Sequence, residues 1–319
     1  MPGRVVVAGG GIAGIACARA LVAAGVRVEV RDRGRVVGGR MASRWIDGRI
    51  VDSGASYLTV ASPEFRAVVE DWTLRGVARA WTDRFHSYDP AGGLADAAPG
   101  PVRYGAARGV RSLVADLVAR GRVQVRQQSP ITMVTAGPTV DGERADFVVL
   151  AMPDPQAIRH LGSEFGAARE AVGGRAYTPA LALLAGWPRR SWPAIDGVFV
   201  NDDPTLSWVC DDGRRRGDGA PVLVAHSTPE FAAGRLTDPG AAAGELAAAV
   251  RRVLSIADEP DWTHVQRWSF AKPVESHDEP FWLSDDGLGL AGDGWGRSKI
   301  ETAWQSGDGI GRAIAARLT

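Results

Sequence analysis

A chain of 319 residues that is 45% hydrophobic and 23% charged can bury a sizeable core, as one large or two medium domains. Its 37 Lys and Arg balance its 37 Asp and Glu, which excludes the global basic field of a nucleic-acid or anionic-membrane binder. Two distant cysteines, Cys17 and Cys210, argue against a disulfide framework, and five histidines without HxxxH or HExxH spacing give a metal site no support. No stretch reaches the roughly 20 uninterrupted apolar residues of a membrane span, and the apolar start has only Arg4 as a basic n-region; the expected location is cytoplasmic.

The first element, Arg4 to Ala8 (RVVVA), is wholly apolar after its first residue, the pattern of a strand buried on both faces of a parallel sheet. It runs into Gly9-x-Gly11-x-x-Gly14 and an Ala-rich helix that stops at Gly25. A second strand, Val26 to Arg31, ends at Asp32, eighteen positions after Gly14. In this context Gly9 permits the tight turn, Gly11 lets a pyrophosphate approach the backbone, and Gly14 lets helix and strand pack closely. The helix N-terminus, at Ile12 and Ala13, offers unpaired N–H groups to the phosphates, and Asp32 would accept from ribose hydroxyls. The motif predicts a dinucleotide and leaves NAD(P) and FAD open.

Arg33 and then Val36-Val37-Gly38-Gly39-Arg40-Met41 follow directly. A nicotinamide dehydrogenase needs no second glycine pair here, whereas the longer FAD does; Gly39 would allow backbone approach and Arg40 would supply a forked phosphate donor. The order GxGxxG, acid, GGRM and Val51-Asp52-Ser53-Gly54-Ala55 resembles the flavin-containing amine oxidase superfamily, and the short chain points to its renalase-like branch. That resemblance implies an α/β fold. A Rossmann-type FAD-binding domain of the glutathione-reductase kind would carry a second α+β substrate domain built on an antiparallel sheet over the flavin.

Further along, Asp89 to Pro101 is rich in Gly, Ala and Pro and reads as a loop crossing between domains. Gly105 to Leu117 and Ala145 to Ala157 are similar to the family's glycine turn with helix and its strand with Pro turn. Tyr177 to Trp187, Gly197 to Val209 and Pro221 to Ser227 read as strands, Arg214 to Arg216 as a solvated loop, and Ala242 to Ser255 as an amphipathic helix. Near the C-terminus, Leu288 to Asp293 (LGLAGD) is a strand ending in Gly-Asp. The segment from Lys299 to Leu318 has small or apolar residues at 300, 303, 304, 307, 310, 311, 314 and 318, a helix with one buried face. The resemblance assigns Asp293 to the ribityl–pyrophosphate region. It places the start of the closing helix, around Glu301 and Thr302, under the flavin pyrimidine ring. The family's tryptophan directly after Gly-Asp is displaced here to Trp295.

The expected FAD-binding domain is discontinuous, 1–70, 102–155 and 265–319, with a substrate domain of 71–101 and 156–264. Tyr57, Trp208, Trp268, Phe270 and Trp295 are the expected substrate-pocket residues, although core packing is the plainer reading of each. Lys272 and His226 are weak catalytic candidates beside the plainer readings of a surface lysine and a satisfied core histidine. No other catalytic residue is evident. The implied function is an oxidoreductase with non-covalent FAD, which takes a hydride from a small dihydronicotinamide-type or amine substrate and reoxidises with O2. The alternatives are an amine oxidase or desaturase of secondary metabolism, or a non-catalytic flavin-binding scaffold.

Overall fold

A computed structural model describes residues 3–319. It divides into two compact units: the segment ending at Met41 with Arg111–Tyr177 and Lys272–Thr319, and Ala42–Val110 with Thr178–Ala271. This division differs from the expected boundaries. Residues 42–70, 102–110 and 265–271 group with the second unit, and 156–177 with the first.

The first unit is built on a six-stranded sheet in the order Trp282–Leu283, Leu288–Leu290, Phe147–Leu150, Arg4–Ala8 (β1), Arg27–Arg31 (β2) and Val125–Arg126. Neighbours run parallel except the outermost pair, Trp282–Leu283 with Leu288–Leu290, which is antiparallel. Val5, Val6 and Val7 are fully buried, as a strand covered on both faces requires. Helix α1, Ile12–Ala23, follows β1 and packs on the closing helix, Ile300–Leu318. That contact is backbone on backbone. A Cβ at Gly307 would lie 1.9 Å from the Ala13 carbonyl oxygen, and one at Gly311 2.6 Å from that of Cys17. The small residues of the closing helix therefore mark the line along which α1 crosses it. Ala303, Trp304, Gly307, Ile310, Gly311 and Ile314 form the expected buried face.

The second unit holds an eight-stranded sheet. Its order is Trp262–Pro273, Tyr177–Gly186, Val222–Ser227, Leu206–Asp211, Gly197–Val200 and Arg79–Asp89, with Gly93–Leu94 and Ala98–Gly105 both pairing with Arg79–Asp89. From Tyr177–Gly186 onward the pairings are antiparallel save one, Gly197–Val200 alongside Arg79–Asp89. Alternation divides the sheet. Leu181, Leu183, Val209 and Leu223 pack with Leu246, Val250 and Val253 of the helix Ala243–Leu254, while Leu184, Trp208, Cys210 and Val224 face the other way.

Three local readings change. The segment 89–101 is a hairpin whose return strand, Ala98–Gly105, pairs with Arg79–Asp89; the pairing supplies the regularity that its Gly, Ala and Pro content hides. Gly197 to Val209 is two strands, Gly197–Val200 and Leu206–Asp211, turned by a loop. Arg214 to Arg216 is not a solvated loop but the end of a short helix, Asp212–Arg216, in which Arg215 is 1% and Arg216 7% exposed. Among the described residues no helix is long and apolar enough to cross a membrane, and no cluster of His, Cys, Asp and Glu could hold a metal ion.

Candidate functional site

The glycine turn of the first unit is shaped by contacts that leave no room for side chains. Gly9 has φ +115°, a conformation that favours glycine, and a Cβ there would meet the Ala151 carbonyl oxygen at 2.4 Å. A Cβ at Gly14 would sit 2.0 Å from the Gly9 carbonyl oxygen. Gly11 is different: it caps α1 with extended backbone, no side chain caps the helix, and a Cβ there would meet nothing within 4 Å. The space at Gly11 is open, beside the N–H groups of Ile12 and Ala13 that no side chain caps. Asp32, at the end of β2, accepts from the Gly10 N–H through one carboxylate oxygen and from the Gly34 N–H at 2.6 Å through the other. It braces this loop, and each oxygen keeps a lone pair for a ribose hydroxyl.

Arg40 and Asp293, singled out separately in the sequence, meet as a forked ion pair: Nη1 donates to Oδ2 at 3.0 Å, and Nη2 donates to Oδ1. Ser298 Oγ also donates to Asp293. Met41 is buried at 3% exposure and Gly39 is exposed, with φ +54° and the Gly11 Cα 3.3 Å from where its Cβ would lie; Arg33 is exposed. Glu301 is buried in the first turn of the closing helix, and Thr302 Oγ1 donates to the Arg297 carbonyl at 2.6 Å. The first unit thus gathers the glycine turn, Asp32, Arg40 and Asp293 around features suited to a dinucleotide.

The same unit contains a cluster that the sequence reading missed. His277 is the buried residue of an otherwise exposed stretch, 274–280. Its backbone N–H donates to the Gly294 carbonyl at 2.8 Å, its Nε2 lies 2.8 Å from Asp154 Oδ2, and its ring stacks on Trp295 at 3.7 Å and 9°. Tyr177 lies beside Asp154, with the Arg40 guanidinium 6.0 Å from its ring centroid. Burial, with Asp154 and Asp293 nearby, pushes the Tyr177 pKa well up, so the phenol stays neutral. Within the first unit, Trp295 is thus held by its stack on His277. No local motif joins positions 154 and 277.

In the second unit, three of the expected pocket residues share the sheet face opposite the helix. Tyr57 lies 5.7 Å from Trp208 and 5.3 Å from Phe85 between ring centroids, and Trp268 packs against the same cluster. The Trp208 Nε1–H donates to Ser56 Oγ at 3.1 Å, and the Trp268 Nε1–H to the Ser53 carbonyl at 2.7 Å, which fixes both indoles. Phe270 stands two positions beyond Trp268 on the same strand, hence on the same face. Trp81 was not anticipated; it lies 5.3 Å from Phe85.

His226, cross-strand from Trp208, also faces this side. Burial, then the Arg215 charge, push its pKa down to about 4 against a hydrogen bond with the Gly54 backbone, so it is neutral near pH 7 and a poor base. Lys272 is exposed and falls in the first unit.

Beneath this face, Asp52 of the VDSGA segment accepts from Ser43 Oγ at 2.6 Å and from the Val110 N–H at 3.0 Å, and lies 3.4 Å from both Arg215 and Arg216. Asp212 pairs with Arg215, with Arg216 at 3.3 Å and with Arg49 at 2.9 Å. Burial alone would raise the Asp212 pKa, but the three guanidinium groups outweigh it and hold the carboxylate below its ordinary value.

The family described as flavin containing amine oxidoreductase matches residues 80–314, and a NAD(P)-binding Rossmann-like domain matches residues 7–72. Protoporphyrinogen oxidase 2, chloroplastic/mitochondrial, of Arabidopsis thaliana is 39% identical over 72 residues, which are 23% of this chain and 14% of that protein. Among solved structures, cyclohexylamine oxidase from Brevibacterium oxydans IH-35A superposes with a TM-score of 0.78 at 12% identity, covering 100% of both chains. A triple mutant of putrescine oxidase superposes with a TM-score of 0.77 at 14% identity, covering 99% of each. At such identities the superpositions establish the shared fold.

Proposed function

The chain belongs to the flavin-containing amine oxidoreductase family, and from that premise we propose that it binds FAD non-covalently, accepts a hydride from a small reduced substrate and returns the electrons to O2. The observation that supports this most is the first unit's combination of an open position at Gly11, an uncapped start of α1, Asp32 and the Arg40–Asp293 pair. FAD, when bound, supplies the hydride acceptor; the protein supplies binding, orientation and exclusion of water.

The N–H groups of Ile12 and Ala13 would hold the pyrophosphate, Asp32 the adenosine ribose, and Arg40 with Asp293 the phosphate and ribityl region. The start of the closing helix at Glu301 and Thr302 would place its positive end toward the flavin ring, favouring the reduced, anionic form. Both cysteines are buried and unpaired, and burial raises both thiol pKa values, so neither offers a thiolate for covalent attachment. The aromatic face of Tyr57, Trp208, Trp268 and Phe270 would take the apolar body of the substrate. Hydride loss from a dihydropyridine or a neutral amine needs no obligatory base, which agrees with a neutral His226 and an exposed Lys272. Named neighbours act on putrescine and cyclohexylamine, while the residue-level resemblance is to the renalase-like branch; the substrate assay decides between amine and dihydronicotinamide.

The test is anaerobic addition of NADH, NADPH, their off-position dihydro isomers and simple amines to the holoprotein, followed by visible absorption. Bleaching by one class, reversed by air, is the expected result. A bound flavin that none of these donors reduces would favour the scaffold reading.

A further inference from the structure

The aromatic face of the second unit carries a charge with nothing to neutralise it. Arg103 is 8% exposed, yet its guanidinium makes no ion pair, and Nε and Nη1 are buried with no hydrogen-bond partner. Its guanidinium carbon lies over Phe85, 4.0 Å from the ring centroid, in the group formed by Tyr57, Trp81 and Phe85. The indole Nε1 of Trp81 is likewise buried without an acceptor. Asp83, the one carboxylate that acts on Arg103 electrostatically, is exposed and lies beyond ion-pairing distance.

A stacked phenyl ring compensates a desolvated cation only in part, and buried guanidinium groups elsewhere in this unit are paired: Arg215 and Arg216 both reach Asp52 and Asp212. Arg103 is the exception, and it sits against the side chains best suited to stack on a planar substrate. Two sets of unused donors lie beside Phe85, those of Arg103 and that of Trp81, and none has a hydrogen-bond acceptor.

We propose that Arg103 is a specificity-determining residue: it anchors an anionic group, carboxylate or phosphate, of a ring-bearing substrate whose planar part stacks among Tyr57, Trp81 and Phe85. This rests on the reading that the aromatic face takes the substrate, and it narrows that reading. A simple cationic amine would bring a second positive charge against a buried guanidinium and be disfavoured, whereas an anion would supply the missing partner.

The experiment measures binding of benzoate, phenyl phosphate and benzylamine to the holoprotein by calorimetry and by perturbation of the flavin spectrum, in wild type, Arg103→Gln and Arg103→Met. At least one anion is expected to bind wild type more tightly than benzylamine, and R103Q to weaken it about tenfold or more with flavin content unchanged. Tighter benzoate identifies a carboxylate and tighter phenyl phosphate a phosphate. R103M, which removes an unpaired buried charge, is expected to melt at the same or a higher temperature than wild type without ligand. Anions that bind no better than benzylamine, or equally well to R103Q, would overturn the assignment. So would an R103M protein that melts several degrees lower, since Arg103 would then be a structural residue. Calorimetry on the purified chain reads anion binding whether or not flavin is present, so a chain without flavin would refute the cofactor proposal separately.

Discussion

Asp212→Ala is expected to destabilise the protein by about 3–5 kcal/mol. Asp212 is fully buried and its oxygens are shared among Arg215, Arg216 and Arg49. Its removal leaves Arg215, itself 1% exposed, with the longer contact to Asp52 at 3.4 Å as its remaining ion pair and one neutral partner, the Ser56 carbonyl at 2.8 Å. The cost comes from desolvated guanidinium groups without partners, not from the attraction in isolation. Asp218→Ala is the matched control. Asp218 also pairs with Arg49, at 2.8 Å, but its side chain is 42% exposed, so about 1 kcal/mol or less is expected. Urea midpoints at constant slope measure both, and equal losses in the two variants would refute the account of this cluster.

Two glycine substitutions in the turn should separate folding from cofactor binding. A methyl group at Gly14 would stand 2.0 Å from the Gly9 carbonyl oxygen and 3.2 Å from the Ala151 side chain. Backbone must move to admit it, so Gly14→Ala is expected to cost about 1–3 kcal/mol in stability and to weaken FAD binding about tenfold to a hundredfold. A methyl at Gly11 meets nothing in the protein, so Gly11→Ala is expected to melt as wild type does and yet lose FAD affinity, because the methyl fills the space a phosphate needs. Equal FAD affinity in wild type and G11A would place the phosphates elsewhere.

How much of this was legible in the sequence depended on how local the determining contacts are. The turn from β1 into α1 is written in closely spaced glycines, two of which, Gly9 and Gly14, are excluded from carrying a side chain by backbone within the same small unit, so its position could be read directly. The closing helix was legible for the same reason: its small residues at 307 and 311 repeat at helical spacing, and the structure shows α1 pressed against them. The burial of Arg215 and Arg216 was not legible. A run of three arginines among Gly and Asp reads as solvated, because only Asp212 of the two carboxylates that pair with Arg215 and Arg216 is near in the chain, while Asp52 is brought in by the fold. His277 and Asp154 are joined only by the fold, and nothing in the exposed 274–280 stretch marks the histidine as buried. The hairpin through 89–101 likewise owes its order to pairing with Arg79–Asp89, and composition alone predicted a loop. Among the aromatics singled out in the sequence, Tyr57, Trp208 and Trp268 share a face in the second unit, and Trp295 stacks on His277 in the first.

The central claim is that the first unit holds FAD without a covalent bond, and its most direct test is the flavin content of the purified protein before and after acid precipitation. The account predicts a yellow protein carrying about one FAD per chain, all of it released into the supernatant, or an apoprotein that takes up FAD to that stoichiometry. A colourless chain that cannot be loaded with FAD would contradict the claim, and flavin that stays with the precipitate would contradict its non-covalent part.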